Sequence, residues 1–221
     1  MTSSSQYVIQ SIRHGVGMKT ISFMGQKGGG GKTTLTCHCA VEAEREGAKV
    51  GVVDTDPQGS CSGWGMTRQL DTPIIAKATA QELHDVIKAG RHDGIAYLMF
   101  DSAPHAAPSA TRVAAASDLI VIPVRPNAFD LAAIPATMEI IKASGKPAVF
   151  VLSACPTRSN DSTEAADVLS KYGLPVSPVH IHERRAYARA VISGRSVAEF
   201  EPSGKAAQEI AALWQWLKEQ L

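Results

Sequence analysis

Short apolar runs recur along the chain at 19–24, 49–54, 74–77, 95–100, 118–123, 147–153 and 176–180. Most are continuous stretches of Val, Ile, Leu or Phe, not alternations of apolar and polar residues. Such runs fit strands buried on both faces, as in parallel sheets covered by helices. Between them lie helix-compatible segments near 32–46, 60–69, 79–90, 107–116, 128–143, 161–172, 183–193 and 204–219. Strand and helix alternate throughout. The pattern therefore predicts an α/β fold, a single domain with a mostly parallel twisted sheet and helices on both faces. Gly145-Lys146-Pro147 and Gly173-Leu174-Pro175 stop a helix before the next strand.

Composition agrees with one domain, since 221 residues at 44% hydrophobic content suffice for one sizeable core. Residues 1–17 are polar, Ser-rich and outside the pattern. They read as a flexible N-terminal extension or leader ahead of a domain at 18–221, without the layout of a secretory signal. No apolar run reaches the length of a membrane span. The formal net charge of +1 neither demands nor excludes a nucleic-acid partner, because a basic patch can hide in a balanced total. Aromatic content of 5% argues against base-stacking platforms. Cys37, Cys39, Cys61 and Cys155 lack zinc-type spacing. Leu35, Cys39 and Ala43 instead form an i, i+4 packing stripe, and the thiols read as reduced and cytoplasmic.

The first strand runs into Gln26-Lys27-Gly28-Gly29-Gly30-Gly31-Lys32-Thr33-Thr34, and a helix-compatible segment follows. Strand, glycine loop and helix in that order form a phosphate cradle. Glycines let several backbone N–H groups converge where no Cβ intrudes. Lys32 reaches the outer phosphates as a point charge, and the Thr33 hydroxyl is placed to ligate Mg²⁺. The generic pattern has glycine where this chain has Gln26, and a second lysine, Lys27, stands at the loop entrance.

Carboxylates follow. The second strand ends in Asp54-Thr55-Asp56-Pro57-Gln58-Gly59, which brings two acids to a strand's carboxyl end, where open α/β sheets bind ligands. A later strand runs into Asp101-Ser102-Ala103-Pro104, the Walker B arrangement, whose carboxylate engages Mg²⁺ directly or through water. The set holds phosphate-binding amides, lysines, a hydroxyl and acids, with no evident acceptor for phosphoryl transfer. Hydrolysis of a terminal phosphate by a positioned water is the economical chemistry. No Asn-Lys-x-Asp guanine motif occurs, which favours ATP over GTP.

Lys27-Gly28-Gly29-Gly30-Gly31-Lys32-Thr33-Thr34 resembles the deviant Walker A box of the ParA/MinD family, with Lys27 at its signature lysine. Asp54 to Gly59 resembles that family's Asp-x-Asp-Pro-Gln-Gly motif, and 104–117 its nucleotide-sensing switch. Ser117 to Pro126 is similar to its strand leading into a proline-marked loop. Arg185-Ala186-Tyr187 and Gly194-Arg195-Ser196-Val197 are similar to C-terminal elements of ParA proteins. The resemblance spans about 19–221. It implies a partition ATPase that binds ATP and Mg²⁺, with Asp54 helping to hold the metal shell and Asp56 orienting the attacking water. Lys27 would cross to the partner's nucleotide, so that ATP joins a homodimer. Turnover would be slow until a ParB-like, centromere-binding activator completes the site. The resemblance also implies non-specific DNA binding and a nucleoid-associated location in the cytoplasm.

Candidates for the DNA surface are Arg184, Arg185, Arg189, Arg195 and Lys205. Basic side chains without aromatics suit sequence-independent phosphate contacts. An ordinary solvated face, with ion pairs to Glu183, Glu199 or Glu201, explains the same residues. Two other outputs share these motifs: positioning of a non-plasmid cargo, and MinD-like membrane association. The latter needs a basic amphipathic tail, and the terminal 210–221 segment carries Trp214 and Trp216 but almost no positive charge, so it is expected to dock on its own domain. A relative of the nitrogenase iron protein would need cysteines near the switch regions, and 101–127 has none.

Overall fold

A computed structural model of the chain describes residues 17–104 and 107–221. The anticipated N-terminal extension, 1–17, lies outside the described residues except for Gly17. In chain order the elements are β1 (Lys19–Phe23), α1 (Lys32–Arg45), β2 (Val50–Asp54), α2 (Ser60–Thr67), β3 (Ile74–Lys77), α3 (Leu83–His92), β4 (Tyr97–Asp101) and α4 (Ala107–Ala115). There follow β5 (Leu119–Val124), α5 (Ala128–Ala132), α6 (Ile134–Ser144), β6 (Ala148–Leu152), α7 (Asp161–Ser170), α8 (Arg185–Ile192), α9 (Val197–Phe200) and α10 (Lys205–Glu219).

The six strands form one sheet in the order β3-β2-β4-β1-β5-β6, and every described pairing is parallel. Successive side chains of a strand point to opposite faces, and both faces here are covered. Leu119 and Val121 of β5, with Val149 and Val151 of β6, join the core beneath α1 and α10. Ile120, Ile122, Phe150 and Leu152 join the opposite core beneath α4, α6 and α7. Continuous apolar runs are what such two-sided burial requires. Leu35, Cys39 and Ala43 are buried on α1 as the spacing predicted, and α10 packs against that helix with Trp214 fully buried. No described helix is long and apolar enough to cross a membrane.

Three local expectations differ. The strand expected at 176–180 does not form: Val176 makes an isolated bridge to Phe150, and the chain then leaves the ladder. Pro175 and Pro178 remove two donors from this short run. The helix expected over 128–143 is two helices meeting at Ala133, because Pro135 fits only a first turn. The helix expected at 79–90 begins at Leu83, after a turn in which the Glu82 carboxylate accepts from the Thr79 N–H and hydroxyl at 2.7 Å each.

One junction ties distant segments together. The Arg68 side chain at the end of α2 is 2% exposed and lies over the Trp64 ring, 4.6 Å from its centroid. It donates to the Thr72 and Gly194 carbonyls and makes a bidentate pair with Glu199 at 3.1 and 2.9 Å. Gly194 has φ +68, and a Cβ placed there would lie 2.3 Å from the Thr67 carbonyl oxygen. Gly194→Ala combines left-handed strain with a backbone clash. It is expected to lower the unfolding free energy by about 2–4 kcal/mol, read as a lower urea midpoint at unchanged slope.

Candidate nucleotide site

The loop between β1 and α1 ends at Gly31, whose φ of 97 sets it in the left-handed region as the N-cap of α1. No side chain caps this end, and the first turn holds no acid. Its N–H groups and the positive end of the helix dipole are thus available to an anion. Ser153, just beyond β6, donates its hydroxyl to the Gly30 carbonyl at 2.6 Å and fixes the loop's inner edge. Lys32 is buried, and its Nζ donates to the Lys27 carbonyl at 2.9 Å. Burial pulls the Lys32 ammonium below its usual range, against the opposing pull of Asp101, Asp56 and Asp130. A neutral carbonyl offsets such burial poorly, and a phosphate offsets it well.

Sheet register brings the acids to the same place. Asp54 pairs with Asp101 across β2 and β4, and Asp101 pairs with Phe23 of β1. All three lie at the strands' carboxyl ends, below the loop. Asp101 Oδ2 accepts from the Thr33 hydroxyl at 2.7 Å, while Oδ1 is buried without a hydrogen bond. Burial pushes the Asp101 carboxyl up to about 7, with Asp54 adding to the rise and the Thr33 hydrogen bond and Lys32 opposing it. A buried orphan oxygen beside a hydroxyl is a hard-donor pair suited to Mg²⁺. Thr33 and Asp101 would hold the ion, which when bound neutralises charge developing on the terminal phosphates.

Asp54 is engaged differently. Its Oδ2 accepts from the Ser62 N–H and hydroxyl, both at 2.8 Å, and its Oδ1 from the Asp56 N–H at 3.1 Å. It therefore pins the start of α2 and the Asp56 loop beside the metal position. Asp56 Oδ1 accepts from the Gln58 N–H at 2.9 Å, and the residue lines the cavity over the cradle. Gly28, Gly29, Gly31, Lys32, Thr33 and Thr34 line the same cavity, whose volume is about 600 Å³. Lys27 is exposed at the loop's mouth.

The cavity's far wall comes from the C-terminal third, including Arg184, Tyr187 and Val191. Glu209 organises it, accepting from His182 Nδ1 at 2.8 Å and Arg184 Nε at 3.0 Å. Arg184 is thus a paired member of the cavity wall and does not join the other basic candidates. Arg185, Arg189, Arg195 and Lys205 are exposed, and among the described residues none forms an ion pair. Of the acids expected to neutralise this region, Glu199 turns inward to Arg68. Sequence reasoning missed Ser153, Arg125 and Glu209. Position was the available signal for the first two, since each directly follows a strand of the parallel sheet.

The family model for the CobQ/CobB/MinD/ParA nucleotide binding domain matches residues 21–197. The Maintenance of carboxysome distribution protein A of Gloeobacter kilaueensis is 29% identical over 209 residues, covering 92% of this chain and 94% of the relative. The chromosome-partitioning ATPase Soj of Thermus thermophilus is 25% identical, covering 86% of this chain and 91% of its own. Among solved structures, the septum site-determining protein MinD of Pyrococcus horikoshii, complexed with Mg-ADP, superposes with a TM-score of 0.76 at 19% identity. That match covers 91% of this chain and 96% of the other, and it shows the fold.

Proposed function

The chain belongs to the CobQ/CobB/MinD/ParA nucleotide-binding family and is a positioning ATPase of the ParA/MinD kind that uses ATP and Mg²⁺; from that premise we propose that it dimerises on ATP, binds DNA without sequence preference and segregates plasmid or chromosomal DNA with a ParB-like activator. Lys32, Gly28 to Gly31 and Thr34 hold the phosphates, Thr33 and Asp101 the metal, and Asp54 the geometry around it. Asp56 orients the attacking water. Lys27, exposed at the mouth, crosses to the nucleotide of a second copy. Turnover is slow while the activator is missing; groups supplied in trans to related phosphate-cleaving enzymes are worth on the order of 10³–10⁵ in rate. Residues 1–17, an extension or leader, are not needed for this activity, and the dimer associates with the nucleoid.

The observation that carries the DNA reading is the double duty of α8. Tyr187, Ala188 and Val191 line the nucleotide cavity, while Arg185 and Arg189 are exposed and, among the described residues, without carboxylate partners. Arg195 follows just beyond the helix. A surface next to the nucleotide and duplicated in a dimer responds to ATP in both position and charge. Arg189→Glu is expected to weaken binding to random-sequence duplex by about tenfold or more and to flatten the salt dependence, with basal ATPase unchanged. Fluorescence anisotropy with a non-hydrolysable ATP analogue checks it. Equal affinity in the variant would leave α8 an ordinary solvated face.

A second reading concerns cargo alone. The likeness to the carboxysome-distribution protein favours a cargo other than DNA, carried by the same ATP and DNA cycle. Membrane association has less support, because the apolar face of α10 is buried against α1.

A further inference from the structure

Arg125 leaves the end of β5 beside the phosphate loop. Its guanidinium lies against the loop's tip: a Cβ placed on Gly29 would be 3.4 Å from Nη2 and 3.7 Å from Cζ. The root of the side chain is held in place. The Arg125 N–H faces Asp130 Oδ2 at 3.4 Å, and the Asp130 N–H donates to Asn127 Oδ1 at 3.0 Å, the cap of α5. The head lines the 600 Å³ cavity with the cradle, and also borders a neighbouring cavity of about 250 Å³ beside Pro126 and Asn127.

Among the described residues no carboxylate pairs with this guanidinium. That contrasts with Arg68 and Arg184, each held by a glutamate. A guanidinium presents its donors in a planar fork matched to phosphate oxygens. Lys32 supplies a cation from inside the cradle, and Arg125 supplies one over its outer edge. We propose that Arg125 is a phosphate-binding residue of the nucleotide site, closing the outer side of the loop on the triphosphate bound in its own subunit. The inference rests on the nucleotide lying in the cradle.

The test uses the full chain with Mg²⁺ and two probes, a non-hydrolysable ATP analogue and inorganic tripolyphosphate, followed by calorimetry. Arg125→Gln is expected to lower affinity for both probes by about tenfold or more, and to reduce the salt dependence of binding. Arg125→Lys recovers part of the loss, because charge returns without the fork. Unchanged affinity for both probes overturns the proposal. A loss confined to the ATP analogue also overturns it, since the contact would then be to base or ribose. The effect should persist on dilution to monomer; its disappearance there would move the contact to a partner subunit and equally overturn the assignment. Wild-type chain that binds neither probe would instead remove the cradle reading itself.

Discussion

Lys32→Ala is expected to abolish measurable ATP binding while leaving the fold intact. Both halves follow from the same geometry. With a triphosphate in the cradle, the Lys32 ammonium is the one buried cation beside several negative oxygens. Removing one partner of a buried charge pair costs about 3–5 kcal/mol, or roughly 10²–10⁴ in affinity. Without nucleotide the same ammonium is a liability. It is buried, its titration is displaced downward by that burial, and it falls back on the Lys27 carbonyl. Truncation removes a poorly solvated charge and one hydrogen bond, so the thermal midpoint of the free variant should match or exceed the wild type's. Calorimetric titration and a melting curve check the two parts. Near-normal affinity in Lys32→Ala would dismantle the phosphate assignment.

Asp56→Ala should separate binding from turnover. The side chain makes one local hydrogen bond, to the Gln58 N–H, and lines the cavity beside the cradle. It lies close enough to Lys32 to favour that residue's charged form. Among the described residues it shares no hydrogen bond with Thr33 or Asp101, the proposed Mg²⁺ residues. If Asp56 orients the attacking water as proposed, its loss lowers the rate by on the order of 10²–10⁴, whereas ATP affinity should change by less than about tenfold. The variant should therefore accumulate an ATP-bound dimer. Phosphate release and sedimentation, both with ATP and Mg²⁺, give the two readings. Normal turnover would take Asp56 out of the reaction.

The grouping of the candidate nucleotide residues at one end of the sheet was legible because each belongs to a contiguous motif whose bonding partners are its own backbone or the next strand end. Parallel strand direction was legible too, and parallel crossovers bring every strand's carboxyl end to one edge. What escaped were pairings across long separations. Arg184 meets Glu209, 25 residues away, and Arg68 meets Glu199, 131 residues away. Composition near α8 shows basic and acidic residues together; only the fold decides which cations are neutralised. The absent strand at 176–180 and the break at Ala133 have a different origin. Apolar periodicity was right there, but Pro178 and Pro135 overrule it through backbone chemistry.

The Arg68 fork has a mechanical consequence. Asp54 grips the first turn of α2, Arg68 closes its last, and that guanidinium has an acceptor for each of its N–H groups. The helix has no slack. Tilting it either drags Gly194 and Glu199 along or strands donors against an indole, at about 1–3 kcal/mol apiece. The Asp54 turn at one end of α2 and the Gly194–Glu199 turn at the other are thus bolted to the same helix.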